Sequence, residues 1–193
     1  MQTDEAQPLR PDTDPRLPLG AVPNPYAYYV LALLWLVAVV TYGDLPARVP
    51  LHFDLAGHPD RWGERSWTGW LLLPGIATLL TGLFLGVGLG LPWLARHQPG
   101  LINLPRKAVF LGLAADARVR VVAISSDLLC ACAVLVDLLL TAILWGTARV
   151  ARGAAATLPA WLMAPFLAGI VVLVMACVRA SVRAIEREAG ARV

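Results

Sequence analysis

Charged residues are scarce in this sequence. Asp, Glu, Lys and Arg make up only 15% of its 193 residues, whereas an ordinary soluble domain has about 25%. Apolar residues account for 58% of the chain and are gathered into four long runs. This distribution excludes a disordered chain, a coiled coil and a collagen-like repeat. It predicts a small integral membrane protein in contact with the lipid bilayer.

Cysteine and catalytic motifs are also scarce. The three cysteines all fall within apolar runs, where a thiol packs as a small apolar residue, and they predict no disulfide framework. The signatures of serine hydrolases, zinc proteases, P-loop enzymes and dinucleotide-binding enzymes are missing. The net charge of +3 is too small to indicate a nucleic acid partner. These absences favour a protein that is not an enzyme and predict no cofactor.

The apolar runs are long enough to cross about 30 Å of hydrocarbon as helices, at about 1.5 Å per residue. They cover residues 26–42, 67–95, 121–146 and 159–178. The predicted fold class is an all-α integral membrane protein whose four transmembrane helices form two consecutive hairpins. The predicted segments are a disordered tail over 1–25, a first hairpin over 26–110 with an ordered outer loop at 43–66, and a second hairpin over 111–193 that ends in a short basic tail.

The basic residues predict the orientation in the membrane. Eleven of the 16 Lys and Arg residues lie in the N-terminal tail, the middle loop and the C-terminal end, and five lie in the other two loops. Because cytoplasmic segments carry an excess of Lys and Arg, both termini and the middle loop are predicted to be cytoplasmic. Tyr and Trp residues at both predicted boundaries agree with this placement. We therefore expect a multi-pass protein of the plasma membrane.

Two stripes of small residues predict how the helices pack. Glycines recur at four-residue spacing in the second span and alanines do so in the fourth, which places each set on one helix face. The stripes consist of Gly82, Gly86 and Gly90, and of Ala160, Ala164 and Ala168. Packing of the second span on the fourth within one chain is the first interpretation. A homodimer through the glycine face is the second.

Two carboxylates, Asp127 and Asp137, lie inside the third span, where an ionised carboxylate costs at least about 2.5–3.5 kcal/mol. Asp127 lies near the cytoplasmic end, within possible reach of Arg179. Asp137 lies deeper and has no basic residue within its own turn. One interpretation is a proton or cation site in a small coupled transporter. The other is a structural hydrogen bond from Asp137 to Thr78, Thr81 or a backbone carbonyl.

The outer loop is the segment richest in polar side chains. Its prolines bias the preceding residues toward extended conformations, and Gly57 permits a turn. In an extended loop, His52 and Asp54 share one face, and His58 and Asp60 form a second pair, so these four are weak candidates for metal ligands. Their spacing matches no established zinc signature. We therefore favour ordinary charge pairing, in which the acids Asp60 or Glu64 pair with the arginines Arg61 or Arg65.

A pattern in this loop resembles that of a known family. The pattern is P-x-H-[FW]-x-x-x-G-x-x-D-x-[WY], and here it comprises Pro50, His52, Phe53, Gly57, Asp60 and Trp62. It resembles the bacterial membrane domain of unknown function at the N-terminus of Sdp-type immunity proteins, which are relatives of the protein that protects cells from the sporulation-delaying toxin. A second stretch of that family, N-x-P-x-[KR], is similar to Asn103, Pro105 and Lys107. The resemblance covers about residues 30–110.

The resemblance implies a bacterial plasma-membrane protein and, by extension, toxin immunity coupled to membrane capture of a cytoplasmic transcriptional regulator. Residues 119–193 differ from the C-terminal domain of the immunity proteins, since they lack its Gly-x-Arg stretch. The leading hypothesis is therefore a non-enzymatic sensor or immunity-type module whose outer loop binds an extracellular peptide or envelope component. The alternative is the small proton- or cation-coupled transporter that uses the intramembrane carboxylates.

Overall fold

The computed structural model describes residues 25–190. The predicted disordered tail therefore lies outside the described residues except for Pro25, and so do the last three residues of the predicted basic tail. Within residues 25–190, four helices are long and apolar enough to cross a membrane. They confirm the predicted fold class, to which the structure adds one small β-hairpin.

The four long helices are α1 (Pro25–Tyr42), α3 (Leu72–His97), α5 (Ala115–Ala151) and α6 (Met163–Gly190). The shorter elements are the strands β1 (Arg48–Phe53) and β2 (Pro59–Glu64), the helices α2 (Trp67–Trp70) and α4 (Lys107–Gly112), and the 3-10 turns Pro99–Leu101 and Ala160–Leu162. We call the end of the bundle that carries β1 and β2 the hairpin end. The other end, which carries residues 98–114, is the loop end.

The helix α5 is the centre of the bundle, because α1, α3 and α6 all pack against it. Its most extensive contact is with α3. Ser126 donates a 2.8 Å hydrogen bond from its hydroxyl to the carbonyl oxygen of Gly88. A Cβ at Gly88 would lie 3.6–3.7 Å from the backbone and Cβ of Ser126. The missing side chain at Gly88 thus lets the two helices approach closely, as small residues do between transmembrane helices.

The prediction that α3 packs on α6 through its glycine stripe is wrong. Gly82, Gly86 and Gly90 are exposed, and no heavy atom lies within 4 Å of the position of a Cβ at any of them. In the alanine stripe that begins at Ala160, Ala164 and Ala168 are exposed too, and α6 meets α5 instead at Gly169, beside the side chain of Leu135. Four-residue spacing identifies a shared face but does not determine which neighbour covers it. The homodimer through the glycine face stays a prediction.

Arg118 organises the loop end. Its guanidinium donates to the carbonyl oxygens of Ala95 and Leu113, each at 2.9 Å. These carbonyls lie near the C-terminal end of α3 and just after α4, where helical carbonyls lack intrahelical partners. Phe110 of α4 is fully buried in the same apolar cluster as Ile185 of α6. The segment between α3 and α5 is therefore packed onto the ends of the long helices.

We expect Gly88→Leu to destabilise the protein and Gly86→Leu to leave the stability of the monomer unchanged. The leucine at position 88 would push α3 away from α5 and disturb the hydrogen bond from Ser126, at a cost of about 1–3 kcal/mol for overpacking. The free energy of unfolding in detergent micelles, measured by denaturant titration, checks this. Equal losses in both variants would contradict the assigned packing face. A change in oligomeric state with Gly86→Leu alone would identify the glycine stripe as a dimer interface.

Candidate functional site

The predicted extended loop forms a β-hairpin. Strands β1 and β2 pair antiparallel, with a shift in register after Pro50. Asp54 holds the turn between them: its carboxylate accepts a 2.8 Å hydrogen bond from the backbone N–H of His58, and its own N–H donates to the His58 carbonyl oxygen at 2.9 Å. The hydrogen bond from the His58 N–H holds the pKa of the Asp54 carboxyl below its ordinary value. A local carboxylate therefore stabilises the tip of the hairpin.

The histidines of the hairpin pair with acids on the opposite arm. Nδ1 of His52 lies 2.7 Å from Oδ1 of Asp60, and Nδ1 of His58 lies 3.6 Å from Oδ2 of Asp54. The prediction that His52 pairs with Asp54 and His58 with Asp60 is wrong, because the turn folds Asp60 back beside His52. All four side chains are about half exposed. Across residues 25–190, no three metal-ligating side chains come together.

Arg65 anchors the base of the hairpin to α1. Its guanidinium donates a 2.7 Å hydrogen bond to the carbonyl oxygen of Leu45 and lies over the ring of Tyr42, 5.3 Å from its centre. The same ring stacks on Trp67, with 3.5 Å between the ring centres. The predicted pairing of Asp60 or Glu64 with neighbouring arginines is therefore wrong, since Asp60 contacts His52 and Arg65 contacts a backbone carbonyl and an aromatic face.

The tip of the hairpin is bonded to the segment between α5 and α6. The backbone N–H of Leu158 donates a 2.8 Å hydrogen bond to the carbonyl oxygen of Gly57. Gly57 has a φ of 83°, in the left-handed region, and a Cβ there would overlap the Leu158 carbonyl oxygen. Only glycine fits this position without strain. The contact draws the hairpin across the end of the bundle, and nothing in the spacing around Leu158 predicts it.

A cavity of about 800 Å³ lies beneath the hairpin. Its lining is mostly apolar, with a few polar groups, as is typical of ligand sites. The apolar walls include Val49, Pro50, Leu51, Phe53, Trp70, Leu73, Ile143, Leu144, Leu158 and Leu162. The polar groups that reach it are His52, Asp54, Glu64, Ser66 and Thr147. Four separate parts of the chain therefore build one cavity: the hairpin, the start of α3 with α2, the end of α5, and the segment before α6.

Exposed tryptophans surround this end of the bundle. Trp67, Trp145 and Trp161 are between 49% and 70% exposed, and they belong to three different elements. Trp and Tyr concentrate where a membrane meets water. The indole of Trp70, by contrast, is buried and donates a 2.9 Å hydrogen bond to the Ala38 carbonyl oxygen. The cavity therefore lies at the end of the bundle where these exposed tryptophans cluster, and its apolar floor lies between the helices.

The structure brings most of the predicted loop residues to this cavity. Pro50, His52, Phe53 and Gly57 line it, and Asp60 contacts His52 from outside. Trp62 does not line it. That side chain faces a separate depression on the hairpin, which it shares with Arg48, Gly63 and Glu64. Sequence reasoning missed the wall residues on α3 and α5, because apolar positions in a span carry no signal that separates cavity walls from lipid-facing surface.

The second predicted motif, N-x-P-x-[KR], lies at the loop end of the molecule. Asn103 and Pro105 are exposed, and α4 begins at Lys107. Arg106, between Pro105 and Lys107, has a φ of 57°, a left-handed conformation at the point where the chain enters α4. Its guanidinium lies 2.9 Å from a carboxylate oxygen of Glu186 on α6. The motif therefore forms a turn at the loop end and takes no part in the cavity.

The intramembrane carboxylates differ in their surroundings. Asp137 is fully buried against α3, and the hydroxyl of Thr81 donates a 2.8 Å hydrogen bond to its Oδ2, which confirms one of the three predicted partners. Oδ1 of Asp137 has no hydrogen-bond partner among the described residues. Asp127 is exposed on α5 and forms no ion pair in residues 25–190, so Arg179, which the sequence places within reach, does not pair with it.

We expect Gly57→Ala to detach the hairpin tip from Leu158, whereas Gly43→Ala has no such effect. The left-handed backbone costs about 1–2 kcal/mol for alanine, and the overlap with the Leu158 carbonyl adds to that cost. Gly43 has open space around its Cβ position and no left-handed backbone. Hydrogen exchange of the Leu158 amide should accelerate at least tenfold in Gly57→Ala. An unchanged exchange rate would show that the tip contact does not depend on glycine.

Comparison with known proteins places these features in a family context. Residues 29–78 match the model of a domain of unknown function (DUF1648), and this segment spans most of α1, the β-hairpin and the start of α3. An uncharacterised protein of Archaeoglobus fulgidus is 35% identical over 88 residues, which cover 46% of this chain and 47% of that protein. The chain thus spans about half the length of this relative. No solved structure matches the chain.

Proposed function

We propose that this protein is a non-enzymatic membrane-embedded binding module that receives the apolar part of an extracytoplasmic peptide in the cavity beneath its β-hairpin. The observation that carries the proposal is the cavity of about 800 Å³ that four parts of the chain build at the hairpin end of the bundle. A cavity of that size falls within the range of small-ligand sites, about 300–1,000 Å³. The lining combines apolar walls with a few polar groups, which suits the binding of a ligand.

The character of the lining favours an amphipathic ligand. Burial of apolar surface contributes about 25 cal/mol per Å², and the walls supplied by α3 and α5 are almost wholly apolar. Asp54 and Glu64 reach the cavity from the hairpin and offer carboxylate oxygens to the N–H groups or the cationic end of a peptide. A peptide that partitions to the membrane surface presents both kinds of group. An apolar envelope component is the second ligand class that the test below distinguishes.

The cellular setting is also part of the proposal. The excess of Lys and Arg at the loop end and the chain termini supports a hairpin that faces away from the cytoplasm. The resemblance to a bacterial membrane domain supports a location in the plasma membrane of a bacterium. The resemblance to the domain of Sdp-type immunity proteins supports protection against a secreted peptide toxin. Capture of a cytoplasmic regulator at the loop end remains a prediction, as does a homodimer.

We expect Leu73→Trp to abolish protection and Leu79→Trp to preserve it. Both leucines lie on α3, but Leu73 lines the cavity, whereas Leu79 is 76% exposed on the outside of the bundle. The indole at position 73 occupies space that a ligand needs. The measurement is survival of a deletion strain that expresses each variant, under challenge with a panel of membrane-active peptides, secreted toxins and cell-envelope inhibitors.

The outcomes of this comparison separate the alternatives. Loss of survival in Leu73→Trp alone, at equal protein levels in the membrane, supports the peptide site. Equal survival of the deletion strain and every complemented strain across the panel would count against peptide binding. Sensitivity to cell-envelope inhibitors alone, again confined to Leu73→Trp, would assign the cavity to an envelope component.

Asp137 favours a second candidate function, a small proton- or cation-coupled carrier. A carboxylate whose Oδ1 is buried without a partner among the described residues has capacity to bind a proton or cation, and intramembrane acids mark such pathways. We expect Asp137→Asn to reduce flux into liposomes to the level of protein-free vesicles. Asp127→Asn, a matched change on the exposed face of α5, should leave flux unchanged. Equal flux with the wild-type protein and with no protein would exclude a carrier.

A further inference from the structure

A ridge of exposed side chains runs along α6 at four-residue spacing. The first four members are apolar and the last three are arginines: Met163, Leu167, Val171, Met175, Arg179, Arg183 and Arg187. Side chains four residues apart on a helix are neighbours, about 6 Å apart along the axis. We call Arg179, Arg183 and Arg187 the arginine ridge. It is a direct continuation of an apolar surface that faces away from the bundle.

The acidic residues of α6 pair with arginines of other elements. Glu188 accepts two 2.7 Å hydrogen bonds from Arg120 of α5, and Glu186 lies 2.9 Å from Arg106 at the start of α4. They are the acidic residues of α6, and both are engaged with the body of the protein. In the part of the chain that the structure describes, the three ridge arginines form no ion pair with Asp127 or any other acid. The acids of α6 therefore pair with Arg106 and Arg120 and do not neutralise the three arginines of the ridge.

The depth of the ridge matches the far surface of the bilayer. Trp161 is 70% exposed and marks the interface at the hairpin end. Arg179 and Arg183 lie about 27 Å and 33 Å further along the helix, at about 1.5 Å per residue. The hydrocarbon core is about 30 Å thick, so these two arginines lie on either side of its far boundary. Lipid phosphates lie at that level, and guanidinium groups bind phosphate through two parallel hydrogen bonds.

We propose that the arginine ridge binds the phosphate groups of anionic phospholipids in the leaflet at the loop end, while the apolar members of the same ridge pack against their acyl chains. This site lies at the opposite end of the molecule from the cavity and does not depend on the proposed function. Orientation in the membrane depends only on how many Lys and Arg residues lie near the ends of the spans, wherever on the helix surface they are. Lipid binding at the arginine ridge is more specific than this general preference, since it depends on exposed arginines that continue a lipid-facing surface.

The test is titration of the detergent-solubilised full chain with phosphatidylglycerol, with bound lipid measured by native mass spectrometry. We expect Arg179→Gln/Arg183→Gln to weaken the apparent Kd about thirtyfold. That change corresponds to about 2 kcal/mol at 1.4 kcal/mol per tenfold, or about 1 kcal/mol for each arginine near a lipid surface. The matched control is Arg48→Gln/Arg61→Gln, which removes two exposed arginines at the hairpin end and should leave the Kd unchanged.

Three further measurements make the result decisive. Arg179→Lys/Arg183→Lys keeps the charge but loses the paired hydrogen bonds of the guanidinium groups, so it should bind more tightly than the glutamine variant and more weakly than the wild-type protein. This graded result excludes misfolding as the cause of the loss. Phosphatidylcholine should bind far more weakly than phosphatidylglycerol, and inorganic phosphate should not compete at equal concentration. Unchanged phosphatidylglycerol binding in the glutamine variant would overturn the proposal. So would equal loss in the hairpin-end control, equal affinity for phosphatidylcholine, or displacement of the lipid by free phosphate.

Discussion

The packing of α3 on α5 holds the two halves of the membrane domain together. Two buried polar contacts lie along its length, from Ser126 to the Gly88 carbonyl oxygen and from Thr81 to Asp137. Lipid tails are as apolar as the helices, so association in a bilayer depends on close packing and on polar contacts of this kind. The two contacts lie eleven residues apart on α5 and seven apart on α3. Together they determine how far one helix is displaced along the other.

The displacement of α3 along α5 determines which residues meet at the hairpin end. It brings Leu73, at the start of α3, to the same cavity as Ile143 and Leu144 near the end of α5. The hairpin then covers the space between them, held at its base by Arg65 and at its tip by the contact between Gly57 and Leu158. The cavity is therefore a consequence of helix register combined with two loop contacts. A change in either should alter its volume without unfolding the bundle.

The two ends of the protein have different chemistry. At the hairpin end, acids and histidines pair with one another across a short sheet above an apolar cavity. At the loop end, the acids of α6 pair with Arg106 and Arg120. The arginines of the ridge are exposed and do not pair with these acids. The protein thus has an apolar cavity at one end of the bundle and a row of exposed arginines at the other. Both features lie where side chains can meet water and lipid headgroups.

The sequence by itself determined the four spans, because a helix satisfies its backbone hydrogen bonds locally and the bilayer sets its length. It also indicated the extended loop and its turn at Gly57, which depend on near neighbours in the chain. It limited the partners of Asp137 to Thr78, Thr81 or a backbone carbonyl, since few polar groups are available at that depth, and Thr81 is the one observed. Most residues of the predicted loop motif do lie at the cavity.

Only the tertiary structure decided which faces meet. The stripe of Gly82, Gly86 and Gly90 remains uncovered, while Gly88, outside that stripe, makes the close contact with α5. The histidine pairs and the contact of Gly57 with Leu158 join residues whose positions depend on the fold of the hairpin and on the register of α3 against α5. Local sequence carries no information on that register, because many apolar surfaces fit a lipid environment equally well. Specific polar contacts between helices select one arrangement, and that arrangement creates the cavity.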